Sequence, residues 1–74
     1  MAVTLTSEAQ SIRLIPLTEV IRLTGRGRSR IYAEMGAGRF PQSIKDGAST
    51  RWCEHEVIAW LAERVRERDA KAAA

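Results

Sequence analysis

The chain has little of what fixes a fold through covalent bonds or metal ions. Its 74 residues include one cysteine, Cys53, and one histidine, His55. A lone cysteine excludes an intramolecular disulfide, and two ligands separated by a single residue make too poor a chelate for a metal site. A chain of this length has room for one small domain, which excludes a two-domain enzyme with an enclosed cleft. Stability must therefore come from a thin hydrophobic core.

Long apolar runs and catalytic groupings are missing as well. A membrane-spanning helix needs about 20 apolar residues, and a secretory signal needs a charged region followed by an apolar stretch. The sequence has neither, so we expect a cytoplasmic protein with no membrane partner. The carboxylate pair Glu54 and Glu56 points to different sides of a helix, so it does not suit acid/base chemistry. We expect no enzymatic activity, no cofactor and no metal.

Positive charge is concentrated in the middle of the chain. Between residues 22 and 51 there are seven basic and two acidic side chains, a local balance of +5, while each flanking segment sums to −1. Ten of the twelve basic residues are arginines, whose rigid fork suits phosphate oxygens and guanine edges better than a lysine ammonium does. The pattern favours a polyanionic partner. The alternative is a solvated basic face that serves solubility.

Two short helices are predicted in the first half of the chain. Residues 1–11 are polar, lack a helical stripe and are expected to form a flexible arm, so the folded domain is assigned to residues 12–74. The first helix covers about residues 18–24, with Thr18 as its cap and Gly25 as its left-handed stop. A tight turn then leads to the second helix, over about residues 28–35.

A hairpin and a long helix are predicted in the second half. Strands over residues 42–45 and 50–52 flank a turn-prone tetrad that contains an Asp-Gly pair. From about Cys53 the apolar residues recur at helical spacing, and the end of this last helix is expected to fray. Two helices, a basic hairpin and a closing helix predict a mainly α fold with a small β-hairpin, the winged helix-turn-helix.

In that fold the second helix enters the major groove of DNA, and the hairpin forms a wing beside it. Ile31 and Met35 are predicted to face inward, while Phe40, Trp52 and Trp60 close the core. The candidate DNA-contacting residues are Arg26, Arg28, Ser29, Arg30, Tyr32, Ala33, Arg39, Lys45 and Arg51.

Several of these candidates have a structural alternative. Tyr32 could equally pack its ring locally, and Lys45 and Arg51 could protect the hairpin edge from pairing. Arg39 could instead form an ion pair with Glu34 or interact with the C-terminal end of the second helix. Glu34 could also tether one of the arginines of the turn and helix, in an exposed pair worth roughly 0–1 kcal/mol.

Short motifs in a fixed order connect the chain to a known family. They are Leu17-Thr18-Glu19-Val20, Thr24-Gly25, Arg28-Ser29-x-Ile31-Tyr32, Gly38-Arg39-Phe40-Pro41, Arg51-Trp52 and Glu56-Val57-x-x-Trp60-Leu61. In this order and spacing the chain, over about residues 13–64, resembles the AlpA family of phage and mobile-element DNA-binding regulators, related to MerR-like domains and excisionases. The resemblance implies a recognition helix at residues 28–32 and a wing that ends at Arg51-Trp52.

The resemblance also implies a biological setting. It implies sequence-specific binding to double-stranded DNA near an integrase gene or attachment site, in a prophage or mobile element of bacterial or phage origin. The protein would act as a transcriptional regulator, as an excisionase (a recombination directionality factor) or as both, with an integrase as a possible partner. The chain departs from the family pattern at Arg26, Gly27, Arg30 and Glu34.

Size bears on how such a protein selects its site. One module of this kind buries only about 600–1,000 Å² on DNA, so we expect self-association or cooperative binding of several copies at adjacent sites. The wing, the N-terminal arm and the last helix are the candidate contacts between copies. Two other readings stay open, an antirepressor-like module that binds an acidic protein partner, and an architectural protein that bends DNA for an integrase.

Overall fold

The fold is mainly helical with a small antiparallel sheet, as predicted. The computed structural model describes residues 12–73, so the predicted arm over residues 1–11 lies outside the described residues. In chain order the elements are β1 (Leu14–Pro16), α1 (Leu17–Thr24), α2 (Arg28–Gly36), β2 (Ile44–Asp46), β3 (Ser49–Cys53) and α3 (Glu54–Ala73).

The turn between α1 and α2 is fixed by backbone and side-chain bonds. Gly25 ends α1 at φ 73°, and its N–H donates to the Ile21 carbonyl at 2.8 Å, which confirms the predicted left-handed stop. The Thr24 hydroxyl donates to the Val20 carbonyl at 2.9 Å and accepts the Arg26 N–H at 3.2 Å. These bonds set the angle at which the chain enters α2.

The start of α1 differs from the prediction. Pro16 occupies the N-cap position in an extended conformation, and no side chain caps the helix. Thr18 therefore lies inside the first turn, and the predicted Thr18 cap is wrong. The reason is that β1 leads directly into α1, so the helix begins before the threonine.

The sheet has three strands in the order β1-β3-β2, all antiparallel. β2 and β3 form the predicted hairpin, but Asp46 pairs with Ser49 inside the ladder. The two-residue loop is therefore Gly47-Ala48, and Gly47 supplies its positive φ of 64°. β1 was not predicted, and it makes β3 the central strand.

The core lies between the sheet and the three helices. It consists of one buried residue from each of β1, the three helices, the 37–43 loop and β3, namely Ile15, Val20, Ile31, Phe40, Trp52 and Val57. Phe40 and Trp52 thus occupy the predicted core positions. Trp60 is only half-buried, packed edge-to-face on Phe40 with ring centroids 4.9 Å apart.

The long helix α3 uses only its first turns for the core. Val57 is buried, but Ile58 and Val65, which belong to the same set of apolar residues at helical spacing, are 49% and 47% exposed. Val65 lies in the part of α3 that continues to Ala73, past the small sheet on which the helix packs. Ile58 follows Val57 directly, so its side chain points to a different side of the helix. None of the helices described over residues 12–73 is long and apolar enough to cross a membrane.

Candidate nucleic-acid interface

Helix α2 is held to the core by one side and leaves the other side free. Ile31 is fully buried, and Met35, one turn later, accepts a hydrogen bond at Sδ from Trp52 Nε1 at 3.3 Å. Because of the helical period, the remaining residues of α2 face outward or sideways. We call five exposed residues the recognition face, which consists of Arg28, Ser29, Arg30, Tyr32 and Ala33.

The N-terminus of α2 is suited to an anion. Its N-cap is Gly27, no side chain caps it, and its first turn contains no acidic residue. The first backbone bond of the helix runs from the Ile31 N–H to the Gly27 carbonyl at 3.1 Å. The N–H groups of the three preceding residues therefore have no acceptor within the helix, and they point out beside two arginines.

The other two helices begin differently. The first turn of α1 contains Glu19, and that of α3 contains Glu54 and Glu56. These carboxylates neutralise the positive end of each helix dipole. Among the described helices, α2 alone presents an uncompensated positive end to solvent.

Tyr32 joins the recognition face to the sheet. Its ring meets Trp52 edge-on, with centroids 6.0 Å apart, and it remains 37% exposed. The Arg28 guanidinium lies 5.4 Å from the centre of the Tyr32 ring. Tyr32 thus packs on a neighbouring side chain and is also accessible to solvent. Its ring orients the Arg28 guanidinium without neutralising the charge of that arginine.

The hairpin places its two basic residues on opposite faces of the sheet. Side chains alternate along a strand, so Thr50 shares the face of Trp52, which touches α2. Lys45 pairs with Thr50 in the register, and its Nζ lies 3.4 Å from the threonine Oγ1. Arg51 belongs to the other face and is half-buried. Lys45 therefore extends the α2 side of the molecule, whereas Arg51 does not.

On the side of α2 opposite the hairpin, Glu34 contacts three arginines that come from three segments of the chain. Its carboxylate lies 3.9 Å from Arg26 of the turn, 3.5 Å from Arg30 of α2 and 3.2 Å from Arg39 of the following loop. We call these four residues the Glu34 cluster. Partial burial raises the pKa of Glu34, but hydrogen bonds from Arg39 and Arg30 and the charge of Arg26 outweigh it, so the pKa lies below its usual value.

Arg26 is the least accessible of the candidate arginines. Its side chain is 24% exposed and lies over the Trp60 ring, 4.8 Å from the centroid. Its Nη1 is buried without a hydrogen bond, because 3.9 Å to Glu34 is an ion-pair distance and not a hydrogen-bond distance. Trp60 in turn donates from Nε1 to the Arg39 carbonyl at 2.7 Å, which holds the loop in place.

Only part of the Glu34 cluster follows from local sequence. The i,i+4 spacing predicts a contact between Glu34 and Arg30, but the convergence of Arg26 and Arg39 on the same carboxylate depends on loop geometry.

Cys53 and His55 lie apart from this surface. Cys53 Sγ lies 3.2 Å from His55 Nδ1, and residues 12–73 contain no group of three potential metal ligands.

The chain is similar to known proteins over most of its length. The model of the family described as Prophage CP4-57 regulatory protein (AlpA) matches residues 13–65. The uncharacterized protein ORF88 of Enterobacteria phage P4 is 37% identical over 57 residues, which cover 76% of this chain and 65% of that protein. The chain thus spans just under two thirds of the length of this relative. No solved structure matches the chain. Because the family match includes β1, both short helices, the hairpin and the first half of α3, the chain belongs to the AlpA family of prophage regulatory proteins.

Proposed function

We propose that this protein binds double-stranded DNA in a sequence-specific manner, with α2 in the major groove and the β2–β3 hairpin alongside as a wing. The observation that carries the proposal is the start of α2. An uncapped helix end with free N–H groups, without acidic residues and beside Arg28 and Arg30, is a site for phosphate oxygens.

The structure supports different roles for the candidate residues. Ser29 and Ala33 lie four residues apart on the outermost side of α2, where they suit contact with base edges or a thymine methyl group. Arg28 lies on the side of α2 that faces the hairpin, and Lys45 belongs to the hairpin, so both suit phosphates or guanine edges. Arg30 and Arg39 lie toward the Glu34 side and would reach phosphates from there.

Arg26 and Arg51 fit supporting contacts better than direct base reading. Arg26 packs on Trp60, and Arg51 lies half-buried on the far face of the sheet. We infer that Arg26 fixes the turn in front of α2. Arg51 would reach the DNA backbone only along the edge of the wing.

Membership of a prophage regulatory family supports a proposal about the location of the DNA site. We propose a site near an integrase gene or an attachment site, where the protein acts as a transcriptional regulator, as an excisionase that directs an integrase, or as both. A footprint on the DNA that flanks its own gene, recorded over a series of salt concentrations, tests this. Protected sites of defined sequence that weaken steeply with salt support the proposal. Salt-sensitive coverage without fixed sites favours an architectural role, and no coverage favours an acidic protein partner.

We infer in addition that copies bind cooperatively on adjacent DNA sites. A single module of this size offers a small DNA interface, so selectivity needs a second copy. The residues of α3 beyond Leu61 are exposed up to Ala73, and Ile58 and Val65 lie seven residues apart, each about half exposed. A stripe of this spacing fits the same helix of a neighbouring copy.

Mobility-shift titrations on DNA with one site and with two adjacent sites test the cooperativity. The double variant Ile58→Ser with Val65→Ser should keep the affinity for one site and lose the preference for two. Ile12→Ser, which also removes an exposed apolar side chain, is the control and should keep that preference. Equal cooperativity in the double variant and the control would exclude α3 as the contact.

A further inference from the structure

Glu34 is one of the two acidic residues in the basic middle of the chain, and it is the one that lies on α2. No other carboxylate occurs between Glu19 and Asp46. The three arginines that it contacts come from the turn before α2, from α2 itself and from the loop after it. A single carboxylate therefore links the three segments that surround the recognition face.

The contacts of Glu34 are divided between its two oxygens. Arg39 Nε donates to Oε1 at 3.2 Å, and Arg30 Nε approaches Oε2 at 3.5 Å. Arg26 Nη1 lies on the Oε1 side at 3.9 Å. The Glu34 side chain is 16% exposed, whereas those of Arg30 and Arg39 are mostly exposed. The carboxylate thus lies closer to the protein interior than the two guanidinium groups, and it orients them from that side.

Arg28 provides the contrast on the same helix. Its guanidinium lies against the Tyr32 ring, and it forms no ion pair within residues 12–73. Arg28 can bind a phosphate without breaking an ion pair. Arg30 and Arg39 can bind a phosphate only if they contact it together with the Glu34 carboxylate or break their ion pair with that carboxylate.

We propose that Glu34 is a specificity-determining positioning residue, which withholds Arg30 and Arg39 from non-cognate DNA and releases them to phosphates once α2 is seated in its cognate groove. The inference rests on the proposed DNA binding and names the residue that tunes it. Its physical basis is that non-cognate binding depends almost wholly on how many free cations neutralise phosphates. Arginines already paired with a carboxylate contribute less to that count.

Seating of α2 changes the balance for the paired arginines. Base contacts hold the DNA backbone at a fixed distance, so phosphates are presented to Arg30 and Arg39 with charge-assisted geometry. Exchange of the carboxylate for a phosphate then becomes favourable. On non-cognate DNA the backbone is held loosely, and the intramolecular pairs persist.

Salt titrations of Glu34→Gln test the proposal, with Glu63→Gln as a matched control. Each variant removes one negative charge from an arginine-bound glutamate, and Glu63 pairs with Arg66 at 2.7 Å on α3, away from α2. In Glu34→Gln the two released arginines should strengthen the salt dependence of binding to non-cognate DNA. The slope of log affinity against log salt concentration should become steeper by up to about 1.8. The ratio of cognate to non-cognate affinity should fall. Glu34→Asp, which keeps the charge, should restore that ratio in part.

A double-mutant comparison identifies Arg39 as one of the released groups. With Glu34 present, Arg39→Gln should leave the non-cognate slope nearly unchanged and lower the cognate slope. In the Glu34→Gln background the same substitution should lower the non-cognate slope by about 0.9. Far-UV circular dichroism verifies that each variant is folded. If Glu34→Gln does not fold, Arg39→Gln alone decides, since an equal loss of slope on both DNAs overturns the proposal.

The outcomes separate this inference from the proposed function. If Glu34→Gln and Glu63→Gln show the same slopes and the same affinity ratio, the role of Glu34 is overturned while DNA binding stands. If the unmodified protein shows no salt-dependent binding to DNA, the proposed function itself fails.

Discussion

Replacement of Arg28 by alanine probes the N-terminus of α2 directly. The guanidinium lies over Tyr32 and has no acidic partner in the described part of the chain, so its charge is available to DNA. Loss of one phosphate contact should lower the log–log salt slope by about 0.9. Over a fourfold range of salt, from about 50 to about 200 mM, that slope corresponds to about a 3.5-fold change in relative affinity. The defect should therefore be largest at low salt.

The fold should tolerate this change. An exposed cation–π contact is worth about 0.5–1 kcal/mol, a small part of the 4–11 kcal/mol or so expected for a domain of this size. The matched control is Arg66→Ala on α3, which removes the same charge from an exposed position paired with Glu63. Fluorescence anisotropy with labelled DNA over the salt series measures both slopes. Equal slopes for the two variants would refute the assignment of α2 as the DNA-contacting helix.

Two further predictions concern stability. Ile31→Ala removes the fully buried side chain that anchors α2, and it should cost about 2–5 kcal/mol in the free energy of unfolding measured with urea, whereas a loss below about 1 kcal/mol would contradict the packing. The pKa of Glu34 is lowered in the folded state, so its contribution to stability is present above the ordinary glutamate pKa of 4.5 and is lost as the pH falls through the lower folded value. Urea titrations from about pH 6 to about pH 3 should thus show a steeper loss for the unmodified protein than for Glu34→Gln, and parallel curves would refute the ion-pair cluster.

Much of the fold could be predicted because its signals are local. Gly25 ends α1 and the apolar spacing places Ile31 inward, so the helix pair was predicted nearly to the residue. β1 could not be predicted, because three residues carry no periodicity and their partner strand lies far along the chain. The shift of the hairpin loop to Gly47-Ala48 reflects the pairing register with β3, which the Asp-Gly pair alone does not fix.

The candidate site likewise has some features that follow from local sequence and others that depend on the tertiary fold. Exposure of the recognition face follows from the helical period of α2 once Ile31 is known to be buried. The sequence offers Glu34 as one of the alternative partners of Arg39, and the structure has that contact. The placement of Arg26 on Trp60 depends on how the 37–41 segment folds back over α3. Lys45 and Arg51 are separated by strand alternation, which becomes visible only when the register is known.

An NMR titration of the isotope-labelled protein with its footprinted DNA site shows directly whether α2 is the element that binds DNA. We expect the largest amide shift changes in α2, over residues 28–33, and in the hairpin near Lys45. The exposed second half of α3 should change little on a DNA fragment that holds one site. Shift changes confined to α3, with α2 unaffected, would contradict the assignment of α2 as the element that binds DNA.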